Sequence, residues 1–348
     1  PTPAVAHECL RDGVAGAVVS ASHNPWFDNG VKLFAAGGRK LDDRVQLAVQ
    51  EGWDAKPRLD EPVAVPGWAD PDEPTAGGRR WADALVDRVV EEWADDEWPL
   101  AGRSLIVDCA NGATSAFAME VLRRLGADVG VLHASPDGRN INEACGSTHP
   151  DDLRAAVLQT GADAGLAFDG DGDRVLMIDN EGNIIWPDRM MMLLLEDILP
   201  RRPGADVLFD VKSSRHLAPL INRLGGRPTM WKTGHSLMKR KLKEVNAVIG
   251  GEFSGHFYIA ERWYGFDDGL YTGARMLEIL STRNDSVANV CEALPEDVST
   301  PELTITTTEA EKFSLIEALR TDADLTAEGF DGRASAISTA SWRLFRNI

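Results

Sequence analysis

Three short loops carry the residue types that could do chemistry. Asp169-Gly170-Asp171-Gly172-Asp173-Arg174 follows the apolar run Ala164–Phe168. Carboxylates at alternate positions, separated by glycines that permit unusual backbone angles, can converge on one hard cation, and without it they repel. A solvated acidic turn is the plainer alternative. An EF-hand needs Gly at its sixth and Glu at its twelfth position, where this run has Arg174 and Asn180. Octahedral Mg²⁺, which keeps positions for water or phosphate oxygens, therefore fits better than a calcium sensor. The second loop is Ser20-Ala21-Ser22-His23-Asn24-Pro25, behind the small-residue strand Ala15–Val19. It holds the Ser22 hydroxyl on a turn that His23 and Asn24 can fix, although the same residues also make ordinary polar turns. The third is Gly250-Gly251-Glu252-Phe253-Ser254-Gly255-His256. Its adjacent carboxylate and hydroxyl suit a polyol, whose hydroxyls both donate and accept; a structural turn is equally open. No P-loop, His-Glu-x-x-His helix or Gly-x-Ser-x-Gly elbow occurs.

Elements must position these loops. Strand-like runs at Ser104–Ala110, Asp128–His133, Ala164–Phe168 and Val175–Asp179 alternate with helical patterns at Thr114–Gly126 and Asp151–Gln159. A second cycle reads helix Pro187–Leu199, strand Asp206–Val211, helix Ser213–Leu224, strand Thr229–Trp231, helix Ser236–Val245 and strand Ala247–Gly250. Such alternation predicts an α/β protein with mixed, mostly parallel sheets. Trp53–Gly78, with five prolines, reads as a long surface loop or insertion, and Arg79–Asp95 as an amphipathic helix closed by Glu97-Trp98-Pro99.

The 348 residues exceed one ordinary domain, and the formal net charge of −19 repels phosphate backbones and anionic membranes. Nucleic acid and membrane are thus not expected partners. No apolar run approaches the roughly 18 residues of a membrane span. No signal peptide is visible, and the scattered Cys9, Cys109, Cys145 and Cys291 read as reduced thiols of a cytoplasmic protein.

Taken in order, Ser22-His23-Asn24-Pro25, the aspartate-glycine loop and Gly251-Glu252-Phe253-Ser254-Gly255-His256 resemble the α-D-phosphohexomutase superfamily. The first half, with Asp28-Asn29-Gly30-Val31-Lys32 and Asn140-Ile141-Asn142 before Gly146-Ser147-Thr148-His149, is similar to phosphoglucosamine mutases. The third quarter, with Trp186-Pro187-Asp188-Arg189, Asp210-Val211-Lys212, Met230–Ser236 and Glu261–Gly269, looks like the bacterial phosphomannomutase/phosphoglucomutase branch. Phe253 stands where phosphoglucosamine mutases usually carry Gln, so mannose and glucose phosphates are expected ahead of glucosamine phosphate.

The resemblance implies three related α/β domains and a smaller α+β domain around a central cleft: 1–98 with the phosphoserine loop, 99–182 with the metal loop, 183–294 with the sugar loop, and 295–348. It implies that the family's first domain begins upstream of Pro1. The family's closing Arg-x-Ser-Asn-Thr phosphate loop has here only Arg346-Asn347-Ile348. By the same resemblance Ser22 is phosphorylated, and Mg²⁺ is held by Ser22, Asp169, Asp171 and Asp173. Arg174 stabilises the phosphoserine, and Lys32 and His235 are acid/base candidates. Lys212, Glu252, Ser254, His256 and Arg346 meet the substrate, a hexose phosphate. Glucose 1,6-bisphosphate or a similar compound is the expected activator, and a monomer or homodimer the expected assembly. The rivals are an Asp169-centred Mg-dependent phosphatase and a non-catalytic sugar-phosphate binding protein.

Overall fold

The computed structural model describes residues 1–41, 43–55, 75–94 and 97–295, together with 308, 311, 314 and 315. Its elements run α1 (Thr2–Asp12), β1 (Gly16–Ser20), β2 (Gly30–Ala35), β3 (Arg39–Lys40), α2 (Asp43–Asp54) and α3 (Ala76–Val90). Next come β4 (Ser104–Asp108), α4 (Ala118–Arg124), β5 (Asp128–Leu132), α5 (Asp151–Thr160), β6 (Ala164–Phe168), β7 (Val175–Asp179) and β8 (Ile184–Ile185). The remainder is α6 (Pro187–Arg201), β9 (Asp206–Asp210), α7 (Leu217–Arg223), β10 (Arg227–Trp231), α8 (His235–Glu244), β11 (Ile249–Gly251), β12 (Phe257–Ile259), α9 (Gly269–Ser281) and α10 (Val287–Glu292).

Three sheets result, ordered β1-β2-β3, β5-β4-β6-β7-β8 and β10-β9-β11-β12. Parallel pairing holds at the centres of the two larger sheets, β5-β4-β6 and β10-β9-β11. The outer strands β7, β8 and β12 turn antiparallel, and the small first sheet is antiparallel throughout. The apolar strand β6 is buried along its whole length, as a central strand covered by helices on both faces must be.

Local chemistry moves several boundaries. α3 starts at Ala76 rather than Arg79 because Thr75 caps it, its Oγ1 accepting the Gly78 N–H at 3.1 Å. The helix expected over Thr114–Gly126 breaks at Phe117 into a 3₁₀ turn, Ala113–Ala116, and α4. The helix expected from Ser213 begins only at Leu217, because the Asp210 carboxylate takes the Ser213 hydroxyl at 2.8 Å and holds that stretch as a turn. Of the long proline-rich segment, residues 53–55 close α2 or follow it, and 56–74 lie outside the described residues. Arg346, with nearly all of the fourth expected domain, also lies outside them.

One apolar core runs from Ala4 to Leu294 and joins all three sheets. α9 is its keystone: Gly273 packs on Leu166, and the Gly269 N–H donates to the Gly172 carbonyl at 3.1 Å. A Cβ at Gly269 would meet the Arg174 carbonyl oxygen at 2.4 Å, so only glycine lets the helix press against the aspartate loop. Trp81 of α3, fully buried, donates its indole N–H to Asp268 at 2.8 Å and locks the first part of the chain to the third. The serine, aspartate and Glu252 loops follow β1, β6 and β11, and so gather where strands end, as ligand sites in α/β proteins do.

Candidate active site

The serine loop and the aspartate loop meet although 147 positions separate them: Ser22 Oγ lies 3.5 Å from Asp169 Oδ2. Ser22 takes a left-handed backbone (φ +54°), with its N–H donating to Ser20 Oγ at 2.8 Å. A non-glycine residue held there is strained, and such strain is typical where a side chain must be aimed. Two devices enforce the approach. Asn142 Nδ2 donates to the carbonyls of both Ser22 and Asn24 at 2.8 Å. Gly170 has no side chain where a Cβ would stand 2.6 Å from the Ser22 carbonyl oxygen. We therefore expect Asn142→Ala to lower turnover about a hundredfold in protein that remains folded, the scale of loss from an ångström of misplacement. Melting temperature should fall modestly, because two buried hydrogen bonds are lost and Asn142 itself holds a left-handed backbone (φ +58°). Steady-state kinetics with a parallel thermal melt checks this.

Asp169, Asp171 and Asp173 are each at most 2% exposed, and their ligand atoms lie within 4.8 Å of one another. Asp169 Oδ1 accepts the N–H groups of Gly172 and Arg174, both at 3.1 Å, which fixes that carboxylate in the turn. Asp171 Oδ1 and Asp173 Oδ1 are buried with no hydrogen-bond partner. Orphaned carboxylate oxygens of this kind cost several kcal/mol each unless a cation meets them. The donor set is all oxygen, which selects a hard divalent ion of the Mg²⁺ type over a soft one. The residues therefore fit such an ion. Burial, reinforced by Asp173 and Asp171, pushes the Asp169 carboxyl up from the ordinary aspartate range.

Lys32, from β2, sets its ammonium across this group, 2.5 Å from Asp171 and 2.8 Å from Asp173. Burial would lower its pKa, but Asp173, Asp171 and Asp169 outweigh it and raise it above the ordinary lysine value. An ammonium so held keeps its proton near neutrality, which suits charge neutralisation better than proton transfer. Arg174 lines the same space, its Nε–H donating to His256 Nε2 at 3.0 Å while lying 3.8 Å from Asp169. His23 Nδ1 stands 3.5 Å from Ser22 Oγ. Burial first, and then the Arg174 charge, hold His23 down to about 3, so the ring is neutral beside the hydroxyl.

The third loop forms the opposite wall. Glu252 is 3% exposed, accepts the Gly234 N–H at 3.0 Å and takes the Tyr258 hydroxyl. Burial raises its pKa, with Asp210 adding to the effect. Ser254 sits half-buried two residues on. Phe253 stacks on Trp186 at 5.6 Å and 15°, an aromatic brace at the rim of this loop. His235, at the start of α8, stacks on His256 at 5.5 Å, and His256 in turn on Tyr258 at 6.3 Å. Burial, with Lys239 and Lys40, pulls His235 down to about 3 against the opposing pull of Asp267. Lys239 pairs with Asp267 at 2.7 Å.

Of the sequence-predicted residues, Ser22, Asp169, Asp171, Asp173, Lys32 and Arg174 form one contiguous group, tied through His256 to Glu252 and His235. Lys212 stands half-buried just past β9 and two residues from Asp210, whose carboxylate takes the Phe253 N–H at 3.3 Å. Sequence reasoning missed Asn142 as the clamp, Lys40, Lys239, Tyr258 and the Trp186 brace. The Gly37-Gly38 pair, both at positive φ, was the available signal for Lys40, because it marks the hairpin that turns β3 back onto β2.

Models of three phosphoglucomutase/phosphomannomutase domains match this chain: alpha/beta/alpha domain I over residues 1–58, domain II over 83–182 and domain III over 186–298. A phosphomannomutase/phosphoglucomutase of Pseudomonas putida is 42% identical over 93% of this chain and 67% of its own length. A phosphoglucosamine mutase of Moorella thermoacetica is 37% identical over 85% of this chain and 65% of its own. Among solved structures, a phosphoglucomutase/phosphomannomutase family protein of Burkholderia thailandensis superposes with a TM-score of 0.72 at 39% identity, covering 89% of this chain and 64% of that one. The chain thus spans about two thirds of the length of the relatives it matches. Among the described residues, no helix is long and apolar enough to cross a membrane.

Proposed function

The chain belongs to the phosphoglucomutase/phosphomannomutase family, and from that premise we propose that it interconverts hexose 1-phosphates and hexose 6-phosphates through a phosphorylated Ser22 and a bisphosphorylated sugar. The observation that carries this reading is the contact between Ser22 Oγ and the Asp169 carboxylate at 3.5 Å, inside a loop built from three buried aspartates. A phosphatase centred on Asp169 gives Ser22 no task, and a pure binding protein has no need of a strained serine beside a cation site.

In this reading the phosphoryl group moves from Ser22 Oγ to a free sugar hydroxyl. The Oγ–P bond breaks, a sugar O–P bond forms, and the proton lost by the sugar hydroxyl is balanced by the one that Ser22 Oγ gains as it leaves. The sugar turns over, and its other phosphate returns to Ser22, restoring the enzyme. Asp169, Asp171 and Asp173 would hold Mg²⁺, which when bound would supply positive charge to the transferring group. Lys32 and Arg174 neutralise the oxygens that the carboxylates would otherwise repel. His23 and His235, both held down to about 3, are neutral at neutral pH and too weakly basic to keep a proton there. They serve to orient neighbouring groups by hydrogen bonding: His23 faces Ser22 Oγ and His235 accepts from Lys40. Glu252 and Ser254 hold sugar hydroxyls, with Glu252 oriented by Tyr258 and the Gly234 amide. Lys212 contacts substrate phosphate, and His256 positions Arg174.

Phe253 in the sugar loop and the 42% identity to the Pseudomonas putida enzyme favour mannose and glucose phosphates over glucosamine phosphate. Glucose 1,6-bisphosphate is the natural activator, since it phosphorylates Ser22. We propose the division 1–98, 99–182, 183–294 and 295–348 as the family's four domains. Turnover on mannose 1-phosphate, glucose 1-phosphate and glucosamine 6-phosphate tests the substrate assignment: the first two should be converted in preference to the third. Glu252→Gln should raise KM by about tenfold or more while Mg²⁺ dependence stays unchanged, the loss of one charged hydrogen bond to the sugar. An unaltered KM would remove Glu252 from the sugar site.

A further inference from the structure

The register of the first sheet pairs Phe34 with Lys40, so Lys32 and Lys40 emerge from one face of it, towards the same space. Their ends are treated differently. Lys32 is neutralised by Asp171 and Asp173, and nearby Lys239 by Asp267. Among the described residues, no carboxylate lies within ion-pair distance of Lys40. Its half-buried ammonium donates to His235 Nε2 at 3.0 Å, a neutral partner that orients it without cancelling its charge.

The geometry points to Lys40 as a further substrate-binding residue, whose ammonium meets an anionic oxygen of the sugar phosphate. This assignment deepens the mutase reading and rests on it. A half-buried cation beside two other ammonium groups, with no carboxylate of its own among the described residues, is costly unless an anion arrives. The effect is visible on the group itself: burial, then Lys239 and Lys32, draw Lys40 down to about 8, with Asp267 and Asp173 opposing more weakly. A phosphate oxygen would reverse that imbalance. His235 Nε2 holds Lys40 as an acceptor, and the imidazole is itself fixed by its stack on His256 and by Asp267, 3.6 Å from Nδ1. Lys40 belongs to the first sheet and His235 to the wall that carries Glu252, so the same contact brings the two sides of the cleft onto the ligand.

Calorimetric titration of the purified protein with glucose 1-phosphate tests this, in the wild type, Lys40→Met and Lys40→Arg. Lys40→Met should weaken binding about tenfold or more, the worth of one hydrogen bond to a charged group, and Lys40→Arg should restore most of it. Mg²⁺ titration of Lys40→Met should match the wild type. Unchanged glucose 1-phosphate affinity in Lys40→Met would overturn the assignment. So would a loss of Mg²⁺ and sugar phosphate binding together, which would make Lys40 a structural tie. Wild-type protein that binds glucose 1-phosphate without converting it would contradict the mutase reading while leaving Lys40 as a phosphate ligand.

Discussion

Ser22→Ala is expected to abolish mutase turnover to within about 10⁻³ of the wild type or less, the scale of loss when a covalent nucleophile is removed, while the fold is retained. The hydroxyl contributes little to packing: Ser22 is only partly buried, and its Oγ contacts are long, 3.5 Å to both Asp169 and His23. The backbone carbonyl, which Asn142 grips, survives the substitution. The left-handed φ of +54° is slightly harder for alanine than for serine, so a loss of about 1 kcal/mol in stability is the most that should appear. Kinetics and a thermal melt on one preparation give both numbers. Near-normal turnover in a melt-competent sample would remove the serine from the chemistry.

Asp171→Asn carries the second large effect, on the cation rather than the phosphoryl carrier. Asp171 offers one oxygen to Lys32 at 2.5 Å and to Thr2, and its other oxygen is buried without a partner. Asparagine would remove the charge and, with its amide oxygen kept on Lys32 and Thr2, set its NH2 where the unpartnered Asp171 oxygen now faces the cation site. The Mg²⁺ concentration for half-maximal activity should rise by about tenfold or more, whereas Glu252→Gln should leave it in place. A proton effect follows from the same cluster. Burial, and then Asp173 and Asp171, shift the Asp169 carboxyl upward and so favour its protonated form relative to an ordinary aspartate, which sets proton and cation in competition at this carboxylate. Apparent Mg²⁺ affinity should therefore fall as pH is lowered, and titration in two buffers of different ionisation enthalpy should reveal proton release. Equal Mg²⁺ midpoints in Asp171→Asn and Glu252→Gln would contradict the division of roles.

What the sequence could disclose depended on whether a site is local along the chain. Asp169, Asp171 and Asp173 lie within five residues on a glycine-spaced loop behind an apolar strand, so their convergence was legible from spacing alone. The serine and sugar loops were ambiguous singly and became legible only as an ordered set. Asn142 and Lys40 were not legible as site residues, because their partners stand 118 and 195 positions away and are brought near only by the packing of separate sheets. Lys32 shows a subtler limit. The sequence marks it as an acid/base candidate, but only the structure shows that two aspartates hold its proton in place. Helix limits drifted for a local reason: side chains such as Thr75 and Asp210 capture backbone or neighbouring hydroxyl groups, which hydrophobic periodicity does not register.

The central claim is that Ser22, and not Asp169, carries the phosphoryl group between hexose positions. Its most direct test is mass spectrometry of the protein after brief incubation with glucose 1,6-bisphosphate and Mg²⁺, followed by digestion and site localisation. The account predicts a single acid-stable phosphate on the peptide containing Ser22, absent from Ser22→Ala and discharged when hexose monophosphate is added. A labile aspartyl phosphate at Asp169, with Ser22 unmodified, would contradict it.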